Sequence, residues 1–297
     1  MAQFDVREFG EFSRKVVREG MDLVRAYQLG EKPIGEVRKK VADDSLLTVA
    51  DRKCGAFLKE RVIGVFPGIG YNIEDAGEAA TQFDIVALGD PIDGTLPFTI
   101  GLMTSTVILG AYDVRKKRVL SCTIGEPATG RLWHSQVGGA CGVWACRHAG
   151  RRFCRARATT VWSGKLSTDS VVLLDASRGF RRSGRQIFYD EQAGQLVMKL
   201  AQHRLLMAGS NGLHQALVAN GNDRMAGVIT TAIGGPWDVC GVLLVFNAGG
   251  AARAFRVTED RQLEERDPLD VMDYDVLVVG NCRNTVDSLS GVLHRLF

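Results

Sequence analysis

Residues 90–95 read Asp-Pro-Ile-Asp-Gly-Thr and follow, after Gly89, the apolar run Ile85-Val86-Ala87-Leu88. Two carboxylates at the mouth of a buried strand repel one another and lose hydration. The chain must therefore supply compensation, either a cation or a set of backbone N–H donors. Pro91 fixes the backbone between the aspartates and removes one donor. Gly94 permits a tight turn, and Pro97 suits the first turn of a helix beyond it. The N–H groups of Gly94 and Thr95 would open that helix as an anion cradle. Carboxylate oxygens are also the hard ligands Mg²⁺ prefers, its shell completed by water and substrate phosphate. One short stretch thus offers both halves of a phosphoryl-transfer site: cation ligands and an anion-binding turn.

Three further acidic positions could join it. Asp51 closes a Thr48-x-x-Asp51 capping box, Glu74 lies in "GYNIEDAG", and Asp238 lies in "GGPWDVCGVLLVFNAGG". Taken singly, each also has a plain structural reading. Asp51 can be a capping partner, Glu74 and Asp75 solvated loop residues, and Asp238 an ordinary residue at a helix start.

Recognisable elements would have to position these groups. Phe9, Phe12, Val16, Val17, Met21 and Val24 recur at helical spacing, which predicts an amphipathic helix over 4–27. Thr48 opens a second helix, which ends in the Phe66-Pro67-Gly68 turn. Between 105 and 144, "STVILGAYDV", "RVLSCTIGEP", "GRLWHSQ" and "ACGVW" read as an antiparallel meander punctuated by "RKK", "ATG" and "GG". Beyond about 160, strand-like "SVVLLDAS", "DRMAGVIT", "AARAFRV" and "DVLVVGN" alternate with helix-like "NGLHQALVAN", "WDVCGVLLVFN" and "NTVDSLSGVLHRLF". The expected organisation is an α+β lobe over 1–155, carrying the Asp90–Thr95 stretch, and an α/β lobe over 156–297, carrying Trp237-Asp238.

Bulk properties narrow the class. At 297 residues, 45% apolar and 24% charged, the chain has ordinary soluble globular composition. Its net charge, 37 − 34 = +3, is too small to demand an anionic polymer as partner. The first residues hold no apolar core of signal-peptide length, and no run approaches a membrane span. The seven cysteines are odd in number and irregularly spaced, which argues against a disulfide framework and fits a reducing cytoplasm.

With these motifs in view, the sequence resembles the inositol monophosphatase family of Mg²⁺-dependent, lithium-sensitive sugar and inositol phosphatases. "DPIDGT" is similar to its first signature, and "PWDVCGVLLVFNAGGAA" to its second. Between them, "RLLMAGSNGLHQALVANGNDRMAG" resembles the segment that meets the substrate, and the resemblance spans nearly the whole chain. It implies a layered αβαβα sandwich of the inositol monophosphatase and fructose-1,6-bisphosphatase type, a homodimer, and two or three Mg²⁺ ions per site. Glu74, Asp90 and the carbonyl of Ile92 would bind one ion, and Asp90, Asp93 and Asp238 another. Asp51 and Thr95 would polarise the attacking water, with Glu74 beside them. Gly94 and Thr95 would hold the phosphate, and Gly209, Ser210 and Asn211 would face the substrate, with Asp93 and Asp238 at its reacting end. The partner so implied is a small phosphorylated metabolite: an inositol phosphate, fructose 1,6-bisphosphate, histidinol phosphate or a nucleotide 3′-phosphate. Neither a membrane nor nucleic acid is expected.

Three positions depart from the family pattern. Asp75 stands where a second glutamate is usual. Leu96-Pro97-Phe98-Thr99-Ile100-Gly101 replaces a more polar continuation. Thr231 stands where inositol-selective members carry a hydroxyl-binding glutamate, which weakens inositol monophosphate as the natural substrate.

Other signals carry less. Cys141, Cys146, His148 and Cys154 cluster in sequence without paired C-x₂-C spacing, so loop or buried cysteines are expected over zinc. Basic stretches at 147–157 and 178–185 read as solvated loops. Some relatives act in RNA-polymerase complexes, so the competing reading is a scaffold serving transcription or RNA, with phosphatase activity secondary.

Overall fold

The structure, a computed structural model, describes residues 4–39, 46–79, 82–145, 157–175, 181–182, 185–231 and 233–297. The opening amphipathic run forms helix α1, Val6–Gln28, capped by Asp5, whose Oδ1 accepts from Arg7 N at 2.7 Å. Helix α2, Val49–Val65, starts at the expected box: Thr48 and Asp51 cap each other's backbone N–H groups. Both helices lie against an eight-stranded sheet. In spatial order its strands are 157–158, 142–145, 131–136, 118–126, 106–113, 85–93, 70–73 and 77–79. All neighbours run antiparallel except Gly70–Ile73 beside Ile85–Asp93.

Both faces of this sheet are buried, which is why its strands read as continuous apolar runs. Along Thr106–Asp113, Val107 and Leu109 point to α1 and α2, while Ile108 points the other way, into the centre of the molecule. The central layer is built by α5, Asn211–Ala219, and α6, Val242–Asn247, each in contact with both sheets. A six-stranded sheet follows, in the order 204–206, 171–175, 225–230, 276–280, 251–257 and 263–266. It alternates in the same way: Leu173, Val228 and Leu277 face the central layer, and Val172, Ile229 and Val278 face outward. The outward face is covered by α4, Asp190–Leu200, and α7, Arg283–Leu293. The result is a layered αβαβα sandwich, as expected.

Two details differ from the sequence expectation. The apolar run after Trp237 is not one helix: Pro236–Asp238 is a 3₁₀ turn, and α6 begins only at Val242. Helix α4 lies outside the elements read from the sequence; of its residues only Leu196 and Leu200 are buried. The meander strands fall at Thr106–Asp113, Arg118–Glu126, Arg131–Gln136 and Gly142–Ala145, as read.

Among the described residues, no helix is long and apolar enough to cross a membrane. Cys146, His148 and Cys154 lie outside the described residues. Cys141 is a buried thiol, pushed up to about 11 chiefly by burial.

Candidate active site

The strand Ile85–Asp93 carries both aspartates to the edge of the core. Its pairing with the strand Thr106–Asp113 shifts register between Asp90 and Asp93, where Pro91 has no N–H to give. That irregularity turns both carboxylates to the same side, and each is almost fully buried. Gly94 then takes a left-handed conformation, φ 86°, and helix α3, Thr95–Thr99, begins with Pro97 in its first turn. A side chain at 94 would be strained there, and its Cβ would stand 2.8 Å from the carbonyl oxygen of Gly209. Gly209 is itself left-handed, and a Cβ on it would meet Pro97 at 2.7 Å. The two turns, distant in sequence, therefore pack backbone against backbone.

Asp93 is the most heavily bonded of the acids. Its Oδ2 accepts from Thr106 Oγ1 at 2.7 Å, Ser210 Oγ at 2.6 Å and Gly212 N at 2.8 Å. Its Oδ1 accepts from Asn211 N at 3.0 Å. Asp93 thus sits on the N-terminus of α5, where orphan N–H groups favour a negative charge. Ser210 is the cap of that helix, accepting from Leu213 N at 3.2 Å, so its hydroxyl is committed within the protein.

Asp238 reaches the same point from the opposite side. Its Oδ2 accepts from the N–H groups of Gly234 and Gly235, and its carbonyl accepts from Gln215 Nε2 at 2.6 Å. One oxygen each from Asp90, Asp93 and Asp238 lies within 4.8 Å of the others. Glu74 stands beside them because Ile73 pairs with Gly89 and Glu74 N donates to Gly89 O at 3.0 Å. Its carboxyl group hydrogen-bonds Asp90.

The electrostatics of this group are unbalanced. Burial, then the charges of Glu74, Asp93 and Asp238, hold Asp90 well above the usual carboxylate range. Burial, then Asp93 and Glu74, do the same to Asp238. Burial also raises Asp93, opposed by its four hydrogen bonds. Buried together and with Asp90 and Asp238 repelled by their acidic neighbours, these carboxylates create the demand for a cation the sequence suggested.

The second cluster flanks α3. Asp51 Oδ2 accepts from Thr48 N at 2.7 Å and Thr48 Oγ1 at 2.5 Å. Its other oxygen, Oδ1, lies 3.3 Å from Thr95 Oγ1, and Thr95 Oγ1 lies 3.1 Å from Ile92 O. One hydroxyl proton therefore has two acceptors. Burial pushes the Asp51 carboxyl up to about 6.

A sequence profile of the inositol monophosphatase family matches residues 5–289. The chain belongs to the inositol monophosphatase family. That family comprises phosphoric monoester hydrolases. No curated protein matches the chain. Among solved structures, an IMPase of Thermotoga maritima is 20% identical with a TM-score of 0.74, over 98% of this chain and 100% of that one. The extragenic suppressor protein suhB of Bartonella henselae is 17% identical with a TM-score of 0.75, over 96% and 98%. An IMPase/NADP phosphatase solved with Mg²⁺ and phosphate is 16% identical with a TM-score of 0.68, over 96% and 95%. At these identities the likeness is one of fold.

The departures from the inositol monophosphatase pattern have definite places. Asp75 is exposed, in a left-handed turn at φ 59°, and its charge bears on Asp51. Thr231 is buried, its hydroxyl donating to Asp175 O at 2.9 Å. Leu96 and Ile100 are 59% and 64% exposed on α3 and just past its end. Sequence reasoning missed Thr106 and Gln215, which hold Asp93 and the Asp238 backbone. Nothing in a lone strand threonine or a mid-helix glutamine marks it before the fold brings it to its acceptor.

Proposed function

We propose that the chain is a Mg²⁺-dependent phosphomonoesterase acting on a small phosphorylated alcohol, an inositol phosphate or a sugar phosphate, by attack of activated water. The observation that carries this reading is the buried triad Asp90, Asp93 and Asp238, with oxygens within 4.8 Å. An all-oxygen donor set raised by burial, with mutual repulsion added at Asp90 and Asp238, fits a hard divalent cation. The relative solved with Mg²⁺ and phosphate supports the choice of ion.

In this reading Glu74, Asp90, the Ile92 carbonyl, Asp93 and Asp238 hold the Mg²⁺ ions. When bound, Mg²⁺ supplies charge neutralisation for the phosphoryl oxygens and a more acidic water. The N–H groups of Gly94 and Thr95 donate to phosphate oxygens, since the first N–H groups of a helix have no partner within it. The Thr95 hydroxyl orients the attacking water and passes its proton to Asp51. Burial that lifts the Asp51 carboxyl toward neutrality suits it to receive that proton. Asp93 fixes Ser210 and Asn211, so the α5 turn that borders the substrate is set by the same carboxylate that borders the metal.

A threonine at 231 presents no carboxylate to a sugar hydroxyl, which favours a substrate other than inositol monophosphate. A cytoplasmic homodimer completes the proposal, with residues 1–155 and 156–297 as its two lobes. The exposed apolar Leu96, Ile100 and Met207 support an interface beside α3.

The test is phosphate release from a panel of phosphomonoesters, with Mg²⁺, with EDTA, and with Mg²⁺ plus lithium. Release that requires Mg²⁺ and favours one compound supports the reading and names the substrate class. A folded protein that releases phosphate from none of them overturns it.

A further inference from the structure

One helix grips two of the carboxylates that the chain brings to the candidate site from opposite sides. The first turn of α5 holds the Asp93 side chain through Ser210 Oγ, Asn211 N and Gly212 N. The same helix reaches Asp238 through Gln215, whose Nε2 donates to the Asp238 carbonyl at 2.6 Å. Residues three and four apart share a helix face, so Gln215 stands in line with Gly212 and Asn211. A Cβ at Gly212 would lie 2.9 Å from Asp93 Oδ2, so this face of α5 is turned toward the carboxylates.

The Gln215 contact meets a need that the local backbone does not. Asp238 ends a 3₁₀ turn, and α6 begins only at Val242. In a continuous α-helix Val242 N would donate to Asp238 O; here it donates to Val239 O at 3.1 Å. The carbonyl of Asp238 is held from α5 instead. Packing alone does not account for a glutamine in this place. Gln215 is fully buried, and its Oε1 has no hydrogen-bond partner among the described residues. A buried acceptor left unmet is destabilising, and a methionine of similar length would fill the space without one. The neighbouring backbone nonetheless makes room for the amide, since a Cβ at Gly241 would lie 2.6 Å from Oε1. Asp93 and Asp238 also repel one another, so a tie from one helix to both resists their separation.

On the reading of the triad as a Mg²⁺ site, we propose that α5 sets the spacing of its carboxylates, with Gln215 as the positioning residue that holds Asp238 at its distance from Asp93. Calorimetric titration of the substrate-free full chain with Mg²⁺ tests this, alongside urea unfolding in EDTA. Gln215→Met removes the donor at similar volume. Gln215→Asn keeps the amide and draws it back by one methylene. Both are expected to weaken Mg²⁺ binding, Gln215→Met by about 10–100-fold, the usual cost of losing a group that orients a metal ligand. A residue serving the fold alone would lower the urea midpoint in EDTA and leave the affinity of the folded protein for Mg²⁺ unchanged. That result in either variant overturns the role of Gln215, so a variant that fails to fold leaves the other to decide. A wild-type protein that binds no Mg²⁺ overturns the cation reading itself, and the role of Gln215 with it.

Discussion

Asp93 Oδ2 accepts the Ser210 hydroxyl at 2.6 Å, across 117 residues of chain. The contact ties the end of a strand in the first sheet to the cap of α5 in the central layer. Asp93 is therefore an anchor as well as a candidate ligand, while Asp90 accepts from Ile92 N at 2.9 Å, meets the carboxyl group of Glu74 and stands at the focus of the repulsion. The two amide variants should part company. In EDTA, Asp90→Asn relieves buried like charge and should raise the urea midpoint. Asp93→Asn turns an N–H₂ toward the α5 N–H groups and should cost about 1–3 kcal/mol. Both should lower turnover by several orders of magnitude. Equal shifts in stability would show that the four hydrogen bonds to Asp93 contribute nothing.

Removal of the cation gives a second prediction. Mg²⁺ bound by the native triad alone should raise the thermal midpoint of the wild-type protein with the logarithm of its concentration above Kd. Asp90→Asn should flatten that dependence, because it takes the most repelled carboxylate out of the donor set. A midpoint that ignores Mg²⁺ in the wild-type protein would remove the triad as its binding place.

At Thr95 the hydroxyl, not the bulk, should matter. Thr95 Oγ1 lies between Asp51 Oδ1 and Ile92 O. Thr95→Ser should retain most turnover, whereas Thr95→Val should lose about 10²–10⁴-fold, the range of a positioned proton-transfer group. Stabilisation by Mg²⁺ should persist in both. Similar turnover in the two variants would exclude the hydroxyl from the reaction.

Much of the site was legible because it is written locally. Asp90-Pro91-Ile92-Asp93-Gly94-Thr95 fixes its own turn through Pro91 and Gly94, and the Thr48–Asp51 box is a four-residue pattern. The layer order was legible through resemblance; the alternation of Val107, Ile108 and Leu109 between two cores could not be deduced from a run that is apolar throughout. What stayed hidden depends on distant pairing. Thr106 and Gly212 meet Asp93 only once the sheet and α5 are stacked, and the Gly94–Gly209 contact is invisible until both turns exist. The split of the Trp237–Asn247 segment was hidden for another reason: an apolar run does not announce the turn at Pro236–Asp238 that aims Asp238 inward.

Acid stability depends on a histidine in the central layer. His214 is fully buried on α5; its Nε2 accepts from Ala208 N at 3.1 Å, which puts the proton on Nδ1, an atom with no partner among the described residues. Burial pushes its pKa down to about 4. The unfolded chain takes up that proton near pH 6.5 and the folded one only near 4, so stability present at pH 7 is lost as the pH falls through this window. Between pH 7 and 5 the loss from this group is about 2 kcal/mol. Urea unfolding at both pH values should show that loss shrink by the same amount in His214→Gln. An unchanged pH dependence in the variant would mean that His214 carries its proton already in the folded protein.

The last prediction concerns the face beside α3. Leu96 and Ile100 are exposed on it, and Thr104 Oγ1 bonds Ala208 O at 2.8 Å, which brings Met207, 52% exposed, alongside. Apolar side chains grouped in this way lose little by exposure singly but mark an interface when contiguous. If a second copy covers them, sedimentation of the wild-type protein should give a dimer, and Ile100→Asp should give a folded monomer, since a buried unpaired carboxylate is costly at an interface. The change should leave circular dichroism and the Mg²⁺-dependent midpoint as they were, because Ile100 lies outside the core and outside the carboxylate group. A dimer that tolerates aspartate at this position would place the interface elsewhere on the molecule.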